Sequence, residues 1–192
     1  LYNRLTEQIH LRTFCLRECE AYVKAAGLAL NRNQILQYYM IFGGVPYYWG
    51  FLKKGLSLSQ NIDSILFEKD APLRDEFKYL YASVFKKPEN YVKIIEALGT
   101  KKVGMTREEI ITATKIPNSG DLTTKLEELE SCGFIRKYNA FGMKKKNAIY
   151  QLMDCFTLFY FKFLKSEPTD EHFWTNQINT PAVNTWLGLA FE

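Results

Sequence analysis

Apolar positions set the first expectations. Tyr91, Ile94, Ile95 and Leu98 fall at offsets 0, +3, +4 and +7, which lines them along one face of a helix that Gly99 stops. Thr106-Arg107-Glu108-Glu109 follows, a hydroxyl with a carboxylate three residues later, so each side chain can satisfy an amide left open at a helix start. A second helix is therefore predicted from Arg107, carrying Ile110, Ile111 and Ala113 inward. Pro117-Asn118-Ser119-Gly120 supplies a turn and a cap, and Leu122, Leu126 and Leu129 at 0, +4 and +7 predict a third helix before Gly133. Residues 134–138 and 148–153 are β-rich runs; the stretch between, with Gly142 and Lys144-Lys145-Lys146, joins them as a hairpin with a basic tip.

Upstream, residues 5–12 alternate loosely and predict a short strand. Residues 16–26 read as a helix with Glu18, Glu20 and Lys24 facing water, ended by Gly27. Asn31 or Asn33 caps the next helix, whose stripe of Ile35, Leu36, Tyr39 and Met40 stops at Gly43-Gly44. Pro46 starts a short helix where its missing amide costs nothing. Tyr47, Tyr48, Trp49, Phe51 and Leu52 crowd this element; such rings suit a base-stacking platform or a membrane interface, but the core of a helical bundle is the simpler expectation. Residues 59–67 and 73–85 predict two more helices, the second with Leu73, Phe77, Leu80, Tyr81 and Val84 on one side. Lys86-Lys87-Pro88 reads as a hinge. After the hairpin, Phe156, Phe159, Tyr160 and Phe163 form an aromatic helical face, Ser166-Glu167-Pro168-Thr169-Asp170 breaks it, and Trp174, Ile178, Trp186, Leu187, Leu189 and Phe191 call for a packing partner.

The predicted fold is mostly α: a helical bundle over residues 1–87, a winged helix-turn-helix with a two-stranded wing over 88–154, and a helical tail from 155 to 192. The tail is expected to fold back on the winged helix or to belong to a further domain.

Composition adds limits. A chain of 192 residues suffices for one large or two small domains. The net charge of +4 is too mild to demand nucleic acid or an acidic membrane by itself. Cys15, Cys19, Cys132 and Cys155 are scattered unlike a disulfide framework, which points to a reducing, cytoplasmic setting. His10, Cys15 and Cys19 lack the C-x₂-C knuckle of a structural zinc site, so no metal is expected. The fattest apolar run, 155–164, is too short to span a bilayer and carries Lys162. The first and last residues suggest a chain cut from something longer.

With these residues in view, the chain resembles the C-terminal half of prokaryotic P-loop ATPases of the archaeal ATPase family, relatives of the AAA+ and signal-transducing NTPases. The resemblance is carried by Tyr2-Asn3-Arg4-Leu5-Thr6, the run from Tyr39 through Phe42-Gly43-Gly44-Val45-Pro46 to Tyr48, Thr106-Arg107-Glu108-Glu109-Ile110 and Gly133-Phe134-Ile135-Arg136-Lys137-Tyr138. Asp154 with Phe156, Phe159 and Tyr160, and Trp186 with Ala190-Phe191-Glu192, complete it. It implies that residues 1–87 are a helical lid. It also implies that Gly43, Gly44 and Pro46 lie against nucleotide held by a preceding P-loop domain, and that Arg4 senses or stabilises a γ-phosphate. ATP and magnesium belong to that parent protein. This chain has no G-x-x-x-x-G-K-[ST] loop, so no cofactor and no hydrolysis are expected of it. A nuclease-like domain would follow, with Glu192 at its opening; its metal ligands lie past this chain.

Charge divides the winged helix against itself. Residues 134–150 hold Arg136, Lys137, Lys144, Lys145 and Lys146 with no acid, which suits phosphate contacts with double-stranded DNA. The third helix, residues 119–133, instead carries a net charge of −3. Only its first turn, with Ser119, Thr123, Thr124 and Lys125, suits a groove. The expectation is weak backbone binding through the wing. The alternatives are a stand-alone winged-helix transcription regulator, or a non-enzymatic protein-interaction module. His10 and His172 have no nucleophile and carboxylate at a recognisable motif, so no catalysis is expected.

Overall fold

The computed structural model describes residues 11–139 and 148–191. The expected strand at 5–12, Arg4, the tip lysines Lys144, Lys145 and Lys146, and Glu192 lie outside or almost outside the described residues. Within them the chain is mostly helical, with a small three-stranded antiparallel sheet.

Five helices come first: α1 (Leu16–Ala25), α2 (Arg32–Phe42), α3 (Pro46–Trp49), α4 (Leu58–Ile62) and α5 (Glu76–Val84). Side chains write the starts of two of them. Asn31 accepts the Gln34 amide at 2.9 Å while Gln34 reaches back to the Asn31 amide at 2.9 Å, and Ser57 and Gln60 do the same for α4. The buried stripe of α2 is Ile35, Tyr38, Ile41 and Phe42, with Leu36 and Tyr39 only half-buried. Tyr48 and Trp49 are buried, so most of the aromatic cluster is core, although Tyr47 stays 61% exposed.

Two departures from the sequence reading share a cause. The expected helix over 59–67 stops being regular at Asp63, where a π turn (Asp63–Phe67) sends the Glu68 amide back to the Asp63 carbonyl at 3.0 Å. Residues 61–67 are buried all round, so no amphipathic stripe fixes a 3.6-residue register there. Leu73 lies before α5, pinned by its amide to the Ile65 carbonyl at 3.0 Å, and Val84 at the far end of α5 is 46% exposed.

After Pro88 come α6 (Glu89–Gly99), β1 (Met105–Thr106), α7 (Arg107–Thr114), α8 (Gly120–Ser131), β2 (Ile135–Asn139) and β3 (Ala148–Leu152). The sheet order is β1-β3-β2, with three strands where the sequence reading expects two. β1 is missed because two residues hold no periodicity. Its approach depends on Gly104, whose φ is +82° and where a Cβ would meet the Tyr150 carbonyl oxygen at 2.4 Å. Ile94, Ile95, Leu98, Ile110, Leu122, Leu126 and Leu129 are buried together as expected; Ala113 is exposed, since it turns away from that core.

The tail forms α9 (Cys155–Phe159), widened by a second π turn (Tyr160–Leu164), then α10 (Phe173–Gln177) and α11 (Pro181–Phe191). Its aromatic face meets the first helices: α9 packs on α2, and α10 on α4. Phe159, Phe163, Trp174 and Trp186 form one ring cluster with centroids 5.0–6.4 Å apart. The tail also touches α6, through Phe161 against Gly99 and Lys165 3.3 Å from Glu96. Across Lys86-Lys87-Pro88, Phe85 stacks on Tyr91 at 3.9 Å. No helix among the described residues is long and apolar enough to cross a membrane.

Candidate nucleic-acid interface

The strand register decides which basic side chains share a surface. Ile135 pairs with Leu152, Arg136 with Gln151, Lys137 with Tyr150, Tyr138 with Ile149 and Asn139 with Ala148. Side chains alternate between faces, so the neighbours Arg136 and Lys137 project from opposite sides of the sheet. Ile135, Leu152, Tyr150 and Ala148 are buried, which makes Lys137's side the one turned to the helices. Its ammonium lies 5.7 Å from the Tyr150 ring centroid.

Arg136 belongs to the open face. Its Nε donates to Gln151 Oε1 at 2.8 Å, and its guanidinium sits 5.4 Å from the Tyr138 ring. Tyr138 donates to the Val103 carbonyl at 2.7 Å and Gln151 to the Lys102 carbonyl at 2.7 Å, so the loop before β1 is tied to this same face. A fixed planar cation on a polar and aromatic surface is the kind of group that meets a phosphate edge-on. β2 is an edge strand, which leaves Arg136 and Lys137 beside open solvent.

Helix α8 begins as the sequence suggests, with Ser119 accepting the Leu122 amide at 3.5 Å. Thr123 and Thr124 are exposed, and their hydroxyls turn back to the carbonyls of Ser119 and Gly120 at 3.5 and 3.2 Å. Lys125 differs from expectation. Its ammonium is 2.6 Å from Asp121 and 5.1 Å from the Tyr91 ring, and its side chain is only 13% exposed. The i, i+4 spacing to Asp121 draws it onto the helix, and Tyr91 completes the niche. Tyr91 in turn donates to Glu128, and burial together with that carboxylate pushes its phenol up to about 12. Lys125 is therefore part of the α6–α8 contact, while Asp121, Glu127, Glu128 and Glu130 line the exposed side of α8.

Arg107 was not singled out by sequence and belongs at this surface. Its Nε donates to Asn118 Oδ1 and its Nη2 to the Ser119 carbonyl, both at 2.9 Å, which clamps the α7–α8 turn beside the first turn of α8. The capping box of α7 is formed as expected: Glu109 takes the Thr106 amide at 2.7 Å. Its other oxygen lies 2.6 Å from Lys101, and the Lys101 and Thr106 donors together lower Glu109 to about 2.

The Gly43-Gly44-Val45-Pro46 turn lies far from this surface in the chain, and its surroundings are the protein's own. The Phe14 amide donates to the Gly44 carbonyl at 2.7 Å, and a Cβ at Gly44 would fall 1.8 Å from the Phe14 carbonyl oxygen. Trp49 Nε1 donates to the Gly43 carbonyl at 2.8 Å, and Cys155 lies beside Gly43. Gly44 thus permits a backbone-to-backbone approach within the chain. Pro46 and Tyr47, next along, are exposed.

Among the described residues no three His, Cys, Asp or Glu side chains are grouped to hold a metal. Burial, with Cys15 nearby, pushes the Cys19 thiol up to about 11, and burial beside Asp154 pushes Cys155 to about 12, so both are poor thiolate donors. Comparison with known proteins finds no matching family model, no matching curated protein and no matching solved structure.

Proposed function

We propose that residues 88–154 are a winged helix that holds double-stranded DNA by its phosphates, in a chain that serves as the non-catalytic C-terminal part of a cytoplasmic P-loop ATPase. The observation that carries this reading is the succession helix, strand, helix, helix, strand, strand with sheet order β1-β3-β2 and a Ser119-capped third helix after a short turn. Support for the contact surface comes from Arg136 on the open face, Lys137 at the edge strand and Arg107 at the start of α8. Acids along α8 oppose insertion in a groove, so the contact runs through the wing and carries little base discrimination.

In this reading the first helices, 1–87, form the lid of the parent ATPase, with Arg4, Gly43, Gly44 and Pro46 on the side of its bound nucleotide. ATP and magnesium belong to the missing P-loop domain, and a nuclease-like domain follows. A second reading, a protein-docking module, is favoured by the acidic face of α8. Duplex binding measured by fluorescence anisotropy at two salt concentrations separates the two. The DNA reading expects affinity that falls with salt, and a weaker dependence in Arg136→Ala and in the triple change of Lys144, Lys145 and Lys146 to alanine. Binding untouched by both variants removes the wing from the contact and leaves the docking module.

A further inference from the structure

Segments from both ends of the chain meet where β3 runs into α9, and ionisable groups collect at that joint. Asp154 caps α9, its Oδ2 accepting the Thr157 amide at 2.7 Å. Thr157 is wholly buried and shares a 2.9 Å hydroxyl–hydroxyl hydrogen bond with Tyr81 of α5. Tyr48 of α3 donates to Glu76 Oε1 of α5 at 3.0 Å. Phe134, just before β2, takes the Met153 and Asp154 amides on its carbonyl at 2.9 and 3.3 Å and lays its ring 4.9 Å from Tyr81. Two carboxyls therefore sit inside the contact that joins the first helices to the sheet.

The titratable groups facing Asp154 are Tyr48, Tyr81 and Cys155; the one facing Glu76 is Tyr48. None of these carries positive charge in any protonation state. An ionised carboxylate at this joint thus loses water without gaining a cation. We propose that the joint is a proton-operated latch, closed when Glu76 and Asp154 hold protons and loosened when both are ionised.

Protonation keeps the existing hydrogen bonds, since a neutral carboxyl still offers a carbonyl oxygen to the Tyr48 hydroxyl or the Thr157 amide. Burial is the largest influence on both groups and raises both, from ordinary values of 4.5 for Glu76 and 3.8 for Asp154. A raised carboxyl stabilises the closed joint fully below its ordinary value, and that stabilisation is lost as pH rises through the raised midpoint. Opening the joint hydrates the carboxylates and relieves the cost.

The test follows the side-chain carboxyl carbons of Glu76 and Asp154 by nuclear magnetic resonance from about pH 4 to about pH 8, with amide exchange at Tyr81, Phe134 and Met153 corrected for intrinsic rate. Expected are two midpoints above the ordinary values and joint amides that lose protection through the same pH range. The loss is about tenfold for each pH unit of elevation. Glu76→Gln and Asp154→Asn should each flatten that pH dependence. Midpoints at or below the ordinary values overturn the latch, and so does a protection loss that persists unchanged in both variants. If either variant fails to fold, the parent alone decides: coincident midpoints and protection loss support the latch, and separate ones overturn it. No DNA enters the measurement, so its outcome is independent of the winged-helix reading.

Discussion

The carboxylate of Asp63 caps a helix 111 residues further along the chain, its Oδ1 accepting the Trp174 amide at 2.7 Å. Its Oδ2 takes the Thr175 amide at 3.1 Å and the Thr175 hydroxyl at 2.5 Å. Asp63 is 1% exposed, and α10 has no capping side chain of its own. Asp63→Ala should therefore cost about 2–4 kcal/mol of stability, read as a lower urea midpoint. Asp75→Ala, which removes only an exposed ion pair with Lys78, should stay within about 0.5 kcal/mol. Equal effects would deny the tail its anchor on the π turn.

Two glycines should respond with opposite sign. Gly44→Ala places a methyl against the Phe14 carbonyl and should destabilise by about 1–3 kcal/mol, whatever ligand is present. Gly188, inside α11 with open space where its Cβ would be, should gain about 0.5–1 kcal/mol on change to alanine. Thermal melts of the isolated chain read both.

Lys125→Ala should lower stability by about 0.5–1 kcal/mol through the lost Tyr91 and Asp121 contacts while leaving duplex affinity unchanged. Arg136→Ala should do the reverse, reducing the salt slope by about 0.9 for the one phosphate contact removed. Paired melts and salt titrations on the two variants distinguish a packing lysine from a contacting arginine.

Acid should act on α7 in the sense opposite to the joint. Glu109 is lowered from 4.5 to about 2 by Lys101 and the Thr106 amide, so its support of the helix start is present above pH 4.5 and is lost as pH falls through about 2. The Thr106 and Glu109 amides should accelerate in exchange over that acid range. Glu109→Gln, which keeps the capping acceptor but not the charge, should remove the response.

Helix starts were the most legible part of the fold. Asn31, Thr106 and Ser119 cap where the sequence places them because a cap is a contact within four residues. Leu122, Leu126 and Leu129 are buried for the same local reason, a stripe with one open side. What stayed hidden depends on distant partners. Met105-Thr106 becomes a strand only by pairing with Ile149 and Tyr150, and Lys125 is withdrawn from the surface by Tyr91, 34 positions earlier in the sequence. At the candidate interface the basic residues were visible as letters, but their division between two faces is set by the β2–β3 register, and Arg107's clamp on the α7–α8 turn needs the turn to exist.

The wide turn at Tyr160–Leu164 amounts to a single inserted residue. Excising one position there would restore an ordinary spiral and swing everything beyond it by about 100°. Lys165 would then leave Glu96, and the Trp174 and Trp186 rings would lose their seat on Phe159. The chain's length between these anchors is thus as constrained as its chemistry: substitutions at exposed Lys162 should be borne easily, whereas a one-codon deletion beside it should not.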